Sequence, residues 1–355
     1  MASRLVRLAV LALSALALSA LALAGCGPHA PAGRADAITL RFASPYPPGH
    51  PFSQADIAWI KHVEALSKGR LHIEPFWGGT LVTSDNTVLE LAHGVADIAL
   101  VTPIYSRAGM RAIKTQAGFY AGADTPAEQV AVYACLQRRF PVLDQEMAGV
   151  RVLAIQGGNL PNILTRGRPI TQLSDLKGLR LRTPSEIAPL LKQLGVDPVT
   201  MPMAGVYSSL SKGVIDGVVA PADTLKSLHF SEVAPNFSQL SFPRGAYPAR
   251  AISLKSWAAL PPDLKAILDQ SQTFWEEQLN AKVEKAEADG TAFGRKHGER
   301  FLAPPPGQEQ TLLGLYDAAS LKAAKAASTP DFDGVAMFNA AHAAVARLHA
   351  GQPAC

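Results

Sequence analysis

From Ile38 onward the chain alternates short apolar runs with amphipathic stretches, and this repeat constrains the fold more than any other feature. Ile38 to Ala43 alternates apolar with polar residues, Ser44-Pro45-Tyr46-Pro47-Pro48-Gly49-His50-Pro51 breaks the run, and Ile57, Ile60, Val63 and Leu66 recur at helical spacing before Gly69. That is strand, loop, helix. Leu71 to Phe76 reads as a second strand, Ser84 to His93 as a helix with a glycine stop at Gly94, and Asp97 to Val101 as a strand buried on both faces. Thr125-Pro126-Ala127-Glu128 carries a capping-box signature with proline at the first helical position.

The repeat continues past Val150 to Ile155. Leu179 to Thr183 is a predicted strand with Leu179 and Leu181 on one face and Arg180 and Arg182 on the other. Ser185 is placed to cap the helix that ends at Gly195, and Val196 to Met201, Val206 to Gly213 and Ile215 to Ala220 complete a second series. Alternation of this kind predicts α/β lobes with largely parallel sheets. From Leu260-Pro261-Pro262-Asp263 the pattern becomes one helical stretch reaching about Arg300, against a usual helix of about a dozen residues. Such a length suits an element that runs across two lobes.

The N-terminus points to secretion. Arg4 and Arg7 precede an Ala/Leu/Val run ending in Leu23-Ala24-Gly25-Cys26, which resembles a bacterial lipobox with Cys26 as the acylated residue. The run sits at the short end of the roughly 20 residues that span a bilayer. Residues 1–25 are therefore expected to be a lipoprotein signal peptide and 26–37, rich in Pro, Gly and Ala, a flexible tether. The membrane is then met only through the lipid. Cys135 and Cys355 remain, free to pair in an oxidising compartment, with nothing in their spacing to decide it.

Several chemistries lack a signature. There is no G-x-S-x-G elbow, phosphate loop, dinucleotide turn or H-E-x-x-H helix, and no Cys/His cluster of metal-ligand spacing. Without Arg4 and Arg7 the 33 basic side chains become 31 against 29 acidic, which gives no electrostatic case for nucleic acid. The expectation is a non-enzymatic protein with no cofactor and no metal.

One ordered set of segments carries more information. Arg168-Pro169-Ile170, Asp175-Leu176-Lys177-Gly178-Leu179-Arg180-Leu181-Arg182, Pro202, Val206-Tyr207 and Gly213-Val214-Ile215-Asp216-Gly217 stand in sequence, flanked by Gly49-His50-Pro51-Phe52, Gly69-Arg70, Gly78-Gly79-Thr80-Leu81, Gly94-Val95-Ala96-Asp97-Ile98 and Leu260-Pro261-Pro262. The set resembles the dicarboxylate-binding (DctP-like) branch of the solute-binding proteins of TRAP (tripartite ATP-independent periplasmic) transporters, from Ile38 to about Arg300. The resemblance implies a two-lobed periplasmic-binding-protein fold of type II-like form, with a long helix spanning both lobes. It places lobe 1 at 38–155, lobe 2 at 156–245, and a return strand, the long helix and C-terminal helices packed mainly on lobe 1 at 246–355. It further implies capture of an organic acid outside the cytoplasmic membrane and delivery to TRAP membrane permease subunits. A lipid-anchored sensing subunit for a membrane receptor is the alternative.

Arg182 matches the arginine that pairs with the ligand carboxylate in that family. It also sits near a strand end, where ligands bind in open α/β sheets, and its guanidinium matches a carboxylate fork. Relatives that bind sialic acid carry a second arginine at the position of Asn162, a phenylalanine at Met203 and an asparagine in the Val218-Val219-Ala220 stretch. Those departures predict a single ligand-binding cation and an apolar pocket that favours a monocarboxylate. Further candidates are Tyr46 and His50 in the loop after the first strand, Trp77, Tyr105, and Asn159 with Asn162 in or beside a Gly/Pro loop.

Overall fold

A computed structural model describes residues 37–355. The signal-peptide, Cys26 and tether expectations lie outside these residues.

Eleven strands among them form two sheets. The first holds β1 (Ile38–Ala43), β2 (Leu71–Phe76), β3 (Ile98–Leu100), β4 (Val150–Gln156) and β10 (Tyr247–Ser253), in the order β2-β1-β3-β10-β4. The second holds β5 (Asn162–Thr165), β6 (Arg180–Arg182), β7 (Asp197–Val199), β8 (Gly217–Ala220), β9 (Asn236–Ser238) and β11 (Arg300–Leu302), in the order β11-β9-β5-β8-β6-β7.

The helices follow the periodicity of the sequence. In lobe 1 they are α1 (Pro51–Leu66), α2 (Thr87–Ala92), α3 (Arg111–Gln116), α4 (Pro126–Arg139) and α5 (Val142–Gln145), and α4 opens with the reciprocal Thr125–Glu128 capping box. Lobe 2 contributes α6 (Ala188–Gln193), α7 (Val206–Ser211) and α8 (Asp223–Ser227). The C-terminal third adds α9 (Leu254–Ala259), α10 (Pro262–Lys296), α11 (Gln308–Ala327) and α12 (Gly334–His349).

The sheets are mixed rather than largely parallel. β1 runs parallel to β3, and β6 parallel to β7 and β8, but β10 opposes β3 and β4 while β5 opposes β8 and β9. The reason is topological. β5 and β10 are the strands the chain enters directly from the other lobe, through residues 157–161 and 239–246, and neither follows a covering helix that would impose a parallel crossover.

The 35-residue α10 joins both lobes. Near its start Trp275 stacks on Trp59 of α1 at 3.6 Å and Phe274 on His62 at 3.9 Å. Farther along, Asn159 donates to the Val283 carbonyl at 2.8 Å, and Glu287 accepts the backbone N–H groups of Ala222 and Asp223 at 3.2 Å each. Gly290 lets the helix close on lobe 2, since a Cβ there would stand 2.2 Å from the Ala222 carbonyl oxygen.

The segment 246–355 is shared between lobes. β11 pairs with β9 in the second sheet, and α11 places Leu312, Tyr316 and Ala319 in the lobe 2 core but Ala324 and Ala327 in that of lobe 1. α12 packs on lobe 1, with Phe338 edge-on to Phe119 at 5.4 Å. Cys135 of α4 and Cys355 form a disulfide with Cα atoms 5.5 Å apart, tying the C-terminus to that lobe. In lobe 2, β-alternation sends Ile163, Leu181 and Val219 to one core and Leu164, Val218 and Ala220 to another.

Candidate ligand-binding cleft

The two lobes meet across a cleft with about 750 Å³ of empty space, part of it open to solvent. Lobe 1 supplies Tyr46, His50, Phe52, Ile104, Tyr105 and Tyr247. Lobe 2 supplies Arg182, Glu186, Met203, Val219, Asp223 and Leu228, while Gly158, Asn159 and Arg244 come from the crossing segments and Val283 from α10.

Arg182 closes β6 and is only 2 % exposed. Its Nε donates to the Met201 carbonyl at 2.9 Å, Nη1 to the Val219 carbonyl at 3.4 Å, and Nη2 to the Tyr105 hydroxyl across the cleft. All three acceptors are neutral. Tyr105 follows β3 through the short 3₁₀ turn Pro103–Tyr105, and its ring centre stands 5.5 Å from the Arg182 guanidinium carbon. A second bridge runs from the Ser185 hydroxyl to the Ile104 carbonyl at 3.2 Å. Ser185 therefore does not cap α6, which begins at Ala188; it joins the lobes.

On the lobe 1 wall, His50 caps α1, its Nδ1 accepting the Phe52 N–H at 3.2 Å, and stacks on Tyr46 at 4.0 Å. Burial, helped by Arg250 and Arg244, lowers His50 to about 3, so it is neutral and carries its proton on Nε2. Burial also raises the Tyr46 and Tyr247 phenols, which remain hydrogen-bond donors.

Arg244 is the cation that sequence reasoning missed. It lies in an irregular crossing segment where no periodicity marks it, and its guanidinium packs against Gly158, where a Cβ would fall 2.4 Å from its carbon. The expectation of a single cation is corrected accordingly. The cleft also holds two acids. Burial raises Glu186 while Arg244 and Arg182 pull it back; burial raises Asp223 to about 6 against Ser227, Arg244 and Asn159. Behind Asp223, burial and the Asp223 charge lift Glu287 to about 7. Glu186 and Asp223 follow strand ends, a position that marks ligand-facing residues in such sheets.

Of the candidates named from sequence, Arg182, Asn159, Tyr46, His50, Tyr105 and Met203 line the cleft. Trp77, Asn162 and Ala220 do not. Trp77 packs edge-on against Phe42 at 5.7 Å. Asn162 pairs with Ala220 in the sheet, and its amide clips the two crossing segments, donating to the Leu160 carbonyl at 3.1 Å and accepting from the Ser241 hydroxyl at 3.2 Å. Ala220 points into the core with Val218 and Phe237, and its neighbours Val219 and Pro221 line the cleft instead. Tyr207, of the family-like Val206-Tyr207 pair, lies at the surface, 37 % exposed, and donates to Glu232 at 2.8 Å.

Two α/β lobes walling a cleft, with their joining segments at its base, define a ligand-capturing binding protein. The chain belongs to the DctP family, the bacterial extracellular solute-binding proteins of family 7, whose family model matches residues 42–312. Its fold is that of solved TRAP solute-binding proteins. An uncharacterized protein of Haemophilus influenzae is 27% identical over 181 residues, 49% of this chain and 54% of that one, so the chain spans about half the length of that relative. A solute-binding protein of Roseobacter denitrificans is 26% identical over 262 residues, 70% of this chain and 79% of the relative. Among solved structures, a TRAP solute-binding protein from Rhodoferax ferrireducens in complex with copurified benzoate superimposes with a TM-score of 0.81 at 23% identity, over 88% of this chain and 99% of that one. One from Bordetella bronchiseptica with bound mandelate gives 0.75 at 20% identity, over the same shares. No helix of the described residues is long and apolar enough to cross a membrane.

Proposed function

We propose that the cleft captures a small organic acid with one carboxylate and an apolar or aromatic body, which the protein hands to TRAP permease subunits. The observation that carries this reading is the burial of Arg182 on the cleft wall, with hydrogen bonds to two carbonyls and a phenol only. A guanidinium keeps its charge when buried and favours an anion that meets its fork. Asp223 feels Arg244 and Glu186 feels both arginines, but no acid bonds the Arg182 fork directly. Ile104, Phe52, Met203, Val219, Leu228 and Val283 supply the apolar contact surface. Solved TRAP proteins of the same fold that hold benzoate, mandelate and 3-hydroxybenzoate support the aromatic-acid class; others, at TM-scores of 0.68 to 0.70, hold galacturonate or glucuronate.

A calorimetric screen tests the class. Benzoate, mandelate and branched 2-oxo acids are expected to bind more tightly than succinate, malate and sialic acid. A dicarboxylate or sialic acid binding most tightly would overturn the monocarboxylate reading. We further propose that a lipid on Cys26 holds the protein at the membrane, a reading that an N-terminal Cys26 peptide of unacylated mass would remove.

A further inference from the structure

We infer that Asp223 reads a hydrogen-bond donor on the bound acid, so that the cleft selects a hydroxylated monocarboxylate over the same acid without its hydroxyl. This rests on the organic-acid reading above and narrows it.

The polar lining is rich in donors. Arg182, Arg244 and the hydroxyls of Tyr46, Tyr105 and Tyr247 all suit a carboxylate. Acceptors are few, and among the described residues the carboxylate oxygens of the lining come from Glu186 and Asp223. Glu186 is raised by burial and partly pulled back by both arginines. Asp223 feels the Arg244 charge, and its backbone N–H is held by the acid Glu287.

Asp223 is 6 % exposed and its position is set by its neighbours. Its own N–H and that of Ala222 are bound by Glu287, and the close approach of Gly290 presses α10 against the Ala222 backbone. Its side chain accepts the Ser227 hydroxyl at 3.2 Å, while the Asn159 amide nearby is directed to the Val283 carbonyl. A carboxyl group offers about four lone-pair sites, so acceptor capacity remains for a ligand. Burying it at the cleft without a ligand donor is unfavourable.

A hydroxyl matches this environment better than an ammonium. Two guanidiniums line the same cleft and would repel a second cation, whereas a neutral hydroxyl donates to an ionised carboxylate and accepts from a protonated one.

Titration calorimetry on two pairs, mandelate with phenylacetate and 3-hydroxybenzoate with benzoate, together with phenylglycine, tests this. The wild-type protein should bind the hydroxylated member of at least one pair about tenfold or more tightly, because a site built around a ligand hydroxyl discriminates against its absence. Phenylglycine should bind more weakly than mandelate. Asp223→Ala should reduce the hydroxyl preference, read as the affinity ratio within each pair, to within about threefold, and Asp223→Asn should retain part of it. Melting curves of both variants report folding, and Asp223→Asn, which keeps the shape of the side chain, covers the case in which alanine destabilises the lobe. Absence of a hydroxyl preference in both pairs, or its persistence in Asp223→Ala, overturns the inference. Failure of all five acids to bind the wild type would instead sink the organic-acid reading, and this inference with it.

Discussion

Two arginines are buried almost equally, Arg250 in lobe 1 at 0 % exposure and Arg182 on the cleft wall at 2 %, but they keep different company. Arg250 Nε meets Asp56 at 2.7 Å, its Nη1 donates to Gln156 at 2.7 Å, and the Trp275 indole donates to the same Asp56 oxygen at 2.9 Å. That network neutralises itself, and Gln156 extends it to the Tyr247 hydroxyl at the cleft. Arg182 has no acidic side chain within ion-pair distance among the described residues and meets only two carbonyls and a phenol. A buried charge paired with an acid of the protein serves the fold, even though Arg250 Nη2 and Asp56 Oδ2 keep no hydrogen-bond partner. One given only neutral partners beside a cleft is arranged for an anion from outside.

The strongest test of this contrast removes the internal partner. Asp56→Ala leaves Arg250 buried and uncompensated, and should cost about 3–5 kcal/mol of stability in urea titrations. Affinity of the folded protein for its acid should change little, because Asp56 does not line the cleft. A variant of near wild-type stability would break the claim that this pair is structural.

Arg182→Ala should show the reverse. Binding is expected to weaken about a hundredfold or more, since the ligand carboxylate would lose the fork that meets it, with a smaller loss of stability than in Asp56→Ala. Arg182→Lys should recover only part of the affinity, because an ammonium lacks the two parallel donors. Normal binding by Arg182→Ala would remove the distinction between the two arginines.

A smaller effect comes from a third buried group, which differs by being able to lose its charge. Both carboxylate oxygens of Glu299, in the turn between α10 and β11, are buried without a hydrogen-bond partner, and burial pushes the group up to about 8. Its folded value lies above its unfolded one, so the stability it contributes is full below the ordinary glutamate range and is lost as pH rises through about 8. Glu299→Gln should flatten that part of the melting profile between pH 5 and 9, a difference of about 2–4 °C. An unchanged slope would show that Glu299 is not the group responsible.

Part of this arrangement was readable beforehand for local reasons. The apolar run around Ile98–Leu100, the Thr125–Glu128 box and the length of α10 each follow from periodicity or capping within a few residues. Arg182 stood out by its strand-end position and by its match to the family. Other features depend on partners far away in sequence. Ser185 has the chemistry of a cap but bonds a carbonyl 81 residues away, and Asn162 has the chemistry of a ligand donor but fastens two crossing segments. Arg244 sits in a segment without periodicity, and only the space left by Gly158 gives it a place in the cleft.

The sequence by itself determined the α/β alternation, the long helix and the presence of a cation at a strand end, because these depend on side-chain period and on residues adjacent in the chain. Only the tertiary structure decided that β5 and β10 oppose their sheets, that α11 serves both lobes, and which charged groups share the cleft. The physical reason is desolvation. An arginine has the same chemistry at 182, 244 and 250, and whether it is balanced by the protein or left for a ligand depends on what folding brings beside it when water is excluded.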